Sequence, residues 1–309
     1  MTETSTTDTT VQAAGNGSSG SGGRERLVRR LARNPNVIIG STIALLLVLT
    51  ALLGPWITPM DPLKQDLFAR FSPPRGLLQD GALNTTYILG ADELGRDILS
   101  RIILGTRVSL QVGLVATGIS LLLGVVLGAV AGYVGGWVDN LIMRLMDILL
   151  AIPGILLAIA IVAALGPSIV NAMIAIAIAR VPQMARLVRS EVLALREEEF
   201  VESARALGVS HVTILFRHIL SNAWAPALVL SALGMGTAIV TEASLSFLGL
   251  GTQPPEISWG RMLSVGRDTI RSAPHVTLYP GLAIAVVVLA FNMLGDGLRD
   301  VFDSRLKDN

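Results

Sequence analysis

The chain of 309 residues contains no cysteine, which excludes disulfides, thiolate metal sites and cysteine nucleophiles. Charge is also scarce, because charged residues make up 15% of the chain whereas a soluble domain carries about 25%. The net charge of +1 gives no argument for a nucleic-acid partner. Hydrophobic residues reach 51%, so we expect most of the chain to lie in lipid.

Sequence motifs for catalysis or nucleotide binding are missing as well. There is no G-x-x-x-x-G-K-[ST] loop, so the chain cannot cradle nucleotide phosphates in that way. The histidines His211, His218 and His275 lack metal-ligand spacing. Asp147 and Asp296 lie near the ends of apolar runs and do not form the G-x-G-D pattern of an intramembrane protease. We therefore expect no catalytic residue, no metal site and no cofactor in this chain.

Six apolar runs are each long enough to cross a hydrocarbon core about 30 Å thick. They cover Val37–Ile57, Val108–Tyr133, Leu141–Leu165, Ser168–Ala185, Ala223–Ala243 and Val276–Gly295. Within the second run, Gly124 and Gly128 have the G-x-x-x-G spacing that lets two helices approach closely. The fold class predicted is an all-α integral membrane protein with six transmembrane helices.

The flanking segments set the predicted domain organisation. Residues 1–33 form a flexible polar tail that ends in a basic juxtamembrane segment, and residues 34–309 form the membrane domain. The arginines before the first span place the N-terminus in the cytoplasm, so six spans put both termini there. Residues 58–106 and 249–275 then lie outside. Within the first of these, a helix is predicted over 89–105, with Asp92 as its cap and with i,i+4 ion pairs to Arg96 and from Asp97 to Arg101.

One stretch between the fourth and fifth spans is not apolar, and we call residues 193–222 the polar segment. Its apolar residues recur at helical spacing in two groups, which are Phe200, Val201, Ala204 and Leu207, followed by Val212, Leu215, Phe216 and Ile219. Gly208 should end the first helix and Ser210 should cap the second. Two short amphipathic helices joined by a glycine turn could bind lipid headgroups or a soluble protein. Because glutamates and not lysines lead the polar face, the pattern favours a protein partner.

Two ionisable residues fall within predicted spans. Arg180 follows an uncharged run, and it either faces a pore or cavity or extends its head group to the membrane surface. Glu242 is a similar case near the outer end of the fifth span. Carboxylates in the middle of a span, as an ion-driven carrier would need, are not seen. The energy for any transport should therefore come from a partner that binds the polar segment.

The polar segment resembles the E-A-A…G…I-L-P signature of the membrane subunits of binding-protein-dependent ABC importers. The match consists of Glu202, Ser203 and Ala204, then Gly208, then Ile219 and Leu220, with Ser203 in place of alanine and Ser221 in place of proline. Further blocks are similar to the C-type subunit of the dipeptide, oligopeptide and nickel permeases. These blocks are LGADELGRDILSRIILGTRVSL (89–110), TEASLSFLGLG (241–251), SWGRML (258–263) and LGDGLRDVFDSRL (294–306).

The resemblance implies a multi-pass subunit of a bacterial plasma membrane importer. Its partners would be a homologous permease subunit, cytoplasmic ATPase domains that bind ATP and Mg²⁺, an extracytoplasmic substrate-binding protein and membrane lipid, with short peptides as the solute. A coupling loop at about 188–222 would contact the ATPase. The residues implied in this contact are Glu202, Ser203, Ala204, Ala206, Leu207, Gly208, Ile219 and Leu220. Two alternatives remain open, which are a stand-alone secondary carrier or channel and a membrane-anchored scaffold without solute flux.

Overall fold

The computed structural model of the chain describes residues 29–77, 83–84 and 86–307. Residues 1–28 of the predicted flexible tail lie outside these described residues, so that prediction stays a prediction.

The described chain is almost entirely helical. Its main helices are α1 (Pro35–Ile57), α2 (Ile98–Val134), α3 (Gly136–Leu150), α4 (Gly154–Leu165), α5 (Ile169–Arg196), α6 (Glu199–Ala206), α7 (His211–Thr213), α8 (Leu220–Phe247), α9 (Trp259–Gly266) and α10 (His275–Lys307). A π-helical turn, Ile214–Ile219, makes α7 and α8 continuous. Short 3₁₀ turns occupy Leu67–Ala69 and Arg267–Thr269. A minimal antiparallel hairpin pairs β1 (Gly76–Leu77) with β2 (Leu83–Asn84).

Five of the described helices are long and apolar enough to cross a membrane, and the α3–α4 pair would make a sixth crossing. The third predicted span is therefore not one continuous helix, because α3 and α4 meet at an angle of 89°. The break falls at Pro153, which has no backbone N–H to donate and lies in an extended conformation as the cap of α4.

Helices α2 and α5 lie side by side and run in the same direction. Gly124 of α2 faces Met184 of α5, and Gly128 faces Val188, so the residue numbers in contact increase together along both helices. A Cβ at either glycine would overlap atoms of α5. The G-x-x-x-G spacing thus serves close helix packing, as predicted, and its partner is a helix of the same chain.

The remaining spans run antiparallel to their neighbours. Gly40 of α1 packs on Leu294 of α10, and Val37 of α1 packs on Gly297, so the start of α1 lies beside the end of α10. Helix α10 is in turn antiparallel to α8, since Gly295 faces Leu233 whereas Gly236 faces Val288 and Asn292. The start of α1, the end of α10 and the polar segment consequently lie at one end of the bundle. We call this the polar end and the opposite one the far end.

At the far end, the helix predicted over 89–105 is wrong in its first half. Helix α2 begins at Ile98, where the Asp97 side chain accepts a hydrogen bond from the Ser100 amide at 2.8 Å. Asp92 lies instead in a turn, in which its carboxylate accepts from the Arg96 amide and pairs with the Arg96 guanidinium at 2.7 Å. A left-handed Gly95, at φ 72°, closes this turn and excludes a helix there.

The expected ion pair between Asp97 and Arg101 is also replaced. The Arg101 guanidinium lies 3.6 Å from Asp92 and donates to the carbonyl oxygen of Pro62 at 3.2 Å. The reason is that Asp97 already caps α2, so its carboxylate is occupied by the Ser100 amide and hydroxyl.

Candidate functional site

The glycine turn of the polar segment has the geometry of a Schellman motif. Gly208 has φ 77°, its amide donates to the Arg205 carbonyl at 2.9 Å, and the Val209 amide donates to the Ala204 carbonyl at 3.1 Å. Ser210 then caps α7 by accepting a hydrogen bond from the Thr213 amide at 3.3 Å. Both the predicted glycine stop and the predicted serine cap are confirmed. The turn therefore fixes the angle between two short helices.

Buried apolar residues fasten these two helices to the bundle. Val201 and Ala204 of α6, with Ile214 and Ile219 of the π-helical turn, join one hydrophobic cluster. The cluster also contains residues of α2, α5 and α8, among them Val125, Val188, Val192 and Ala227. Because the polar segment shares one core with three spans, it can move with them as a unit.

Two polar contacts add to this attachment. The Tyr133 hydroxyl, at the end of α2, is 2.8 Å from Nδ1 of His211, and the two rings meet edge to face. Arg196, at the end of α5, donates to the carbonyl oxygens of Gly132 and Tyr133 at 3.4 Å. The ends of α2 and α5 are thereby tied to each other and to α7.

The opposite side of the polar segment is an exposed edge, where apolar residues are not covered by any other part of the described chain. Leu207 is 84% exposed, Val212 67% and Phe216 64%. Glu202, Ser203, Ala206 and Gly208 are exposed beside them. Eight residues are implied in ATPase contact by the resemblance. Ala204, Ile219 and Leu220 are buried within the chain. The other five are accessible, and these are Glu202, Ser203, Ala206, Leu207 and Gly208.

Neither helical pattern of the polar segment lines one environment as predicted. In the first, Phe200 and Leu207 are exposed while Val201 and Ala204 are buried. In the second, Val212 and Phe216 are exposed while Ile219 is fully buried. The π-helical turn at Ile214–Ile219 explains the second difference, since it adds a residue to the turn and shifts the helix face. Ile214 takes the buried position instead.

Ion pairs that the sequence analysis missed connect α3 to α5. Arg189 forms a two-bonded pair with Asp139, at 2.5 and 2.6 Å, and Arg186 pairs with Asp147 at 2.5 Å. The partners are far apart in sequence, but the two aspartates are eight positions apart on α3 and so lie on the same side of that helix. The shared face of the two aspartates on α3, together with the i,i+3 spacing of the two arginines on α5, is the signal that could have revealed the contact.

Arg180 lies at the contact between α5 and α8. Its guanidinium donates to the Thr237 hydroxyl and fills the space left by Gly234, where a Cβ would overlap it. The Nε atom is buried and has no hydrogen-bond partner among the described residues.

Glu242 lies near the far end of α8 and is 1% exposed. One of its carboxylate oxygens accepts hydrogen bonds from Ser246 at 2.6 Å and from Thr252 at 3.1 Å, and Ser258 is also beside it. The other oxygen, Oε2, is buried and has no hydrogen-bond partner among the described residues, so the carboxylate meets hydroxyl groups on one side only. It ties the end of α8 to the segment that follows.

A cavity of about 380 Å³ opens between α2, α8 and α10. Leucine, methionine and phenylalanine side chains form most of its wall, including Leu114, Leu228, Met235 and Phe302. Such a wall suits an acyl chain or an apolar helix and offers no counter-charge for an ionic solute.

Comparison with known proteins adds independent information. Residues 124–308 match the model of the family described as binding-protein-dependent transport system inner membrane component. Residues 25–74 match the N-terminal TM domain of oligopeptide transport permease C.

Individual relatives are similar over most of the chain. A dipeptide transport system permease protein, DppC, of Alkalihalophilus pseudofirmus is 49% identical over 279 residues, which cover 90% of this chain and 89% of the relative. A glutathione transport system permease protein, GsiD, of Escherichia coli is 46% identical over 279 residues, with the same two coverages. A solved structure of the MetNI methionine ABC transporter, in an inward-facing conformation, matches 66% of this chain and 97% of its own, with 18% identity and a TM-score of 0.53. This structural likeness shows the fold alone.

Proposed function

The chain belongs to the family of binding-protein-dependent transport system inner membrane components, and from this premise we propose that it is the C-type permease subunit of an ATP-driven importer for short peptides. It lies in the bacterial inner membrane as a multi-pass subunit and forms the translocation path with a second, homologous permease subunit. The polar end faces the cytoplasm, so both termini lie there. The far end faces a substrate-binding protein outside.

The observation that carries this proposal is the exposed edge of the polar segment. A motor domain needs a surface that is fixed to the spans and yet uncovered by the chain. The edge meets both conditions, because α6 shares a core with α2, α5 and α8 while Leu207, Val212 and Phe216 remain exposed. In the importer, these side chains and Glu202 enter a groove of the ATPase.

ATP and Mg²⁺ bind to the partner and not to this chain, in keeping with the missing phosphate-binding loop. Closure of the ATPase pair then moves the polar segment as a rigid element. Because this segment is tied to the ends of α2 and α5, the motion reaches the spans and alternates their inward-open and outward-open arrangements.

Short peptides are proposed as the solute because the similar relatives are named as dipeptide and glutathione permeases. Peptides are polar and zwitterionic, so a path for them needs polar groups within the bundle. Arg180 and the hydroxyl groups of α8 are such groups.

The test is purification of the tagged full-length chain from its own membranes, followed by identification of bound proteins and an uptake assay with labelled alanyl-alanine. We expect an ATPase and a second permease to co-purify. Leu207→Asp should reduce ATPase recovery at least about tenfold, since it places a charge in an apolar contact. Ile270→Asp is the matched control for ATPase recovery, because Ile270 is 56% exposed at the far end and its substitution should leave that recovery unchanged.

Uphill uptake by the purified chain alone, in vesicles without an ATPase, would overturn the proposal in favour of a secondary carrier. Absence of any flux with all partners present would favour a scaffold.

A further inference from the structure

Arg180 is placed deep in the membrane-spanning part of the bundle. It lies about 16 Å along α5 from Ile169, since an α-helix rises about 1.5 Å per residue. The hydrocarbon core is about 30 Å thick, so this position is near its middle. Thr237, the residue that accepts its hydrogen bond, lies at a similar distance from the far end of α8, about 15 Å from Phe247.

The guanidinium does not extend toward either membrane surface. It turns sideways, donates to the Thr237 hydroxyl, and occupies the room that Gly234 leaves on α8. An arginine that reached for the headgroups would run along the helix toward its end. The position is instead built to hold the charged group at this depth.

The charge of Arg180 has no counter-ion among the residues that the structure describes. Two further arginines of the same helix give the comparison, since Arg186 and Arg189 each pair with an aspartate of α3. No carboxylate within the described part of the chain forms such a pair with Arg180, and its Nε lacks even a neutral partner. An unpaired cation at this depth is costly and calls for an anion from outside the chain.

The side chains around Arg180 indicate a hydrated passage through the bundle. Thr237, Thr241 and Ser244 follow one another at helical spacing on α8, and each donates its hydroxyl to a carbonyl of its own helix. Thr237 is exposed and accepts from Arg180, while Thr241 and Ser244 are half-buried and their oxygens can accept from a passing donor. Hydroxyl groups open to the outside suit a hydrated passage better than a dry contact between helices.

We propose that Arg180 binds the carboxylate of the transported solute as it crosses the membrane. This inference rests on the proposed function and adds a specificity-determining residue to it. The guanidinium supplies N–H donors to the carboxylate, and the hydroxyl stripe of Thr237, Thr241 and Ser244 offers acceptors to the ammonium and amide groups of a peptide.

The test compares uptake of alanyl-alanine with uptake of its C-terminal amide by the complete importer in cells. Each rate is divided by the fraction of binding protein that the peptide occupies, so that selection outside the membrane is removed. The wild-type protein should carry the free acid about 10-fold or more faster than the amide, which is the factor expected from one charged hydrogen bond.

Arg180→Gln should lower uptake of the acid by about 10-fold or more and leave uptake of the amide within about twofold. Arg180→Lys should restore part of the preference for the acid, because it keeps the charge. Arg186→Gln is the matched control, since it removes an arginine of the same helix that already has a partner, and it should keep the full preference.

Three results would overturn the inference. One is equal loss of both peptides in Arg180→Gln, which would indicate a structural role. Another is loss of the second permease from the purified complex in this variant, which would assign the counter-ion to that subunit. The third is an unchanged preference. Failure of the wild-type importer to take up either peptide would instead overturn the proposed function on which the inference rests.

Discussion

Two glycine turns at opposite ends of the bundle share one backbone conformation and differ in everything around it. Gly95 at the far end has φ 72°, and Gly208 at the polar end has φ 77°. A Cβ at Gly95 would overlap the backbone of Asp66, whereas a Cβ at Gly208 would meet no atom of the described residues within 4 Å. The space beside the Gly95 turn is therefore occupied by the chain, whereas the space beside the Gly208 turn is empty of described residues.

The same contrast holds more widely at the two ends. At the far end, Trp259 is buried and donates to the Ile102 carbonyl at 3.1 Å, and the buried Glu242 carboxylate accepts from Ser246 and Thr252. At the polar end, Leu207 and Phe216 project into space that no residue of the described chain occupies. The Gly95 turn, Trp259 and Glu242 therefore pack within the chain, while the Gly208 turn and its neighbours keep a surface for a partner. Substitutions at the two ends should separate folding from transport.

Gly95→Ala should have the largest effect. The left-handed conformation costs an alanine about 1–2 kcal/mol, and overlap with the Asp66 backbone adds about 1–3 kcal/mol. We expect a loss of folded protein, measured as the yield of monodisperse complex in detergent and as its melting temperature. Gly208→Ala is the matched control, because it carries the conformational cost without the overlap. Equal melting temperatures for the two variants would break the contrast between the ends.

Glu242→Ala should have the next largest effect on folding. It leaves the hydroxyls of Ser246 and Thr252 buried without their acceptor, which costs about 1–3 kcal/mol. The measurement is the same melting temperature. Glu242→Gln keeps an acceptor oxygen in place and should lose less. If Glu242→Ala melted like the unmodified protein and failed only in uptake, the far end would hold a transport residue and not a structural one.

The sequence predicts the spans well because their signal is local. An uncharged run of sufficient length must be helical in lipid, and this places at least one end of each of α1, α2, α5, α8 and α10 to within about four residues. The helices that leave the apolar run are longer than predicted, since α2 begins at Ile98 and α5 and α10 extend to Arg196 and Lys307. The Gly208 turn and the Ser210 cap are also local, since each depends on the hydrogen bonds of a few neighbouring residues. For the same reason these features of the candidate site are confirmed.

Features that depend on distant residues are the ones that the sequence does not settle. Asp92 and Asp97 both precede an apolar run. Asp97 is the cap because distant residues hold the segment before it as a turn: the Asp66 amide donates to the Leu94 carbonyl, and Arg101 of α2 donates to the Pro62 carbonyl. The size of the bend at Pro153 likewise depends on how α3 packs on α5. The space for Arg180 depends on Gly234, a residue of another helix.

Gly208→Asp tests the open turn directly. The variant should lose only about 1–2 kcal/mol of folding free energy, and so remain in the membrane, because no residue of the described chain is near the new side chain. Peptide uptake should nonetheless fall at least about tenfold, since a charged side chain would enter the ATPase contact. Gly208→Asn is the control, because asparagine has the same shape, tolerates this conformation and adds no charge. Normal uptake with normal ATPase recovery in Gly208→Asp would remove the coupling role from this turn.

Tyr133→Phe should have the smallest effect and indicates how the polar segment is held. It removes the hydrogen bond between the tyrosine hydroxyl and His211, worth about 0.5–1.5 kcal/mol, and keeps the edge-to-face ring contact. If the buried cluster of Val201, Ala204 and Ile214 fixes the segment, as its burial indicates, uptake should stay within about twofold. Tyr133→Ala, which also removes the ring, should lose more. A tenfold loss of uptake in Tyr133→Phe, with unchanged ATPase recovery, would instead show that this one polar contact transmits the motion from the polar segment to α2.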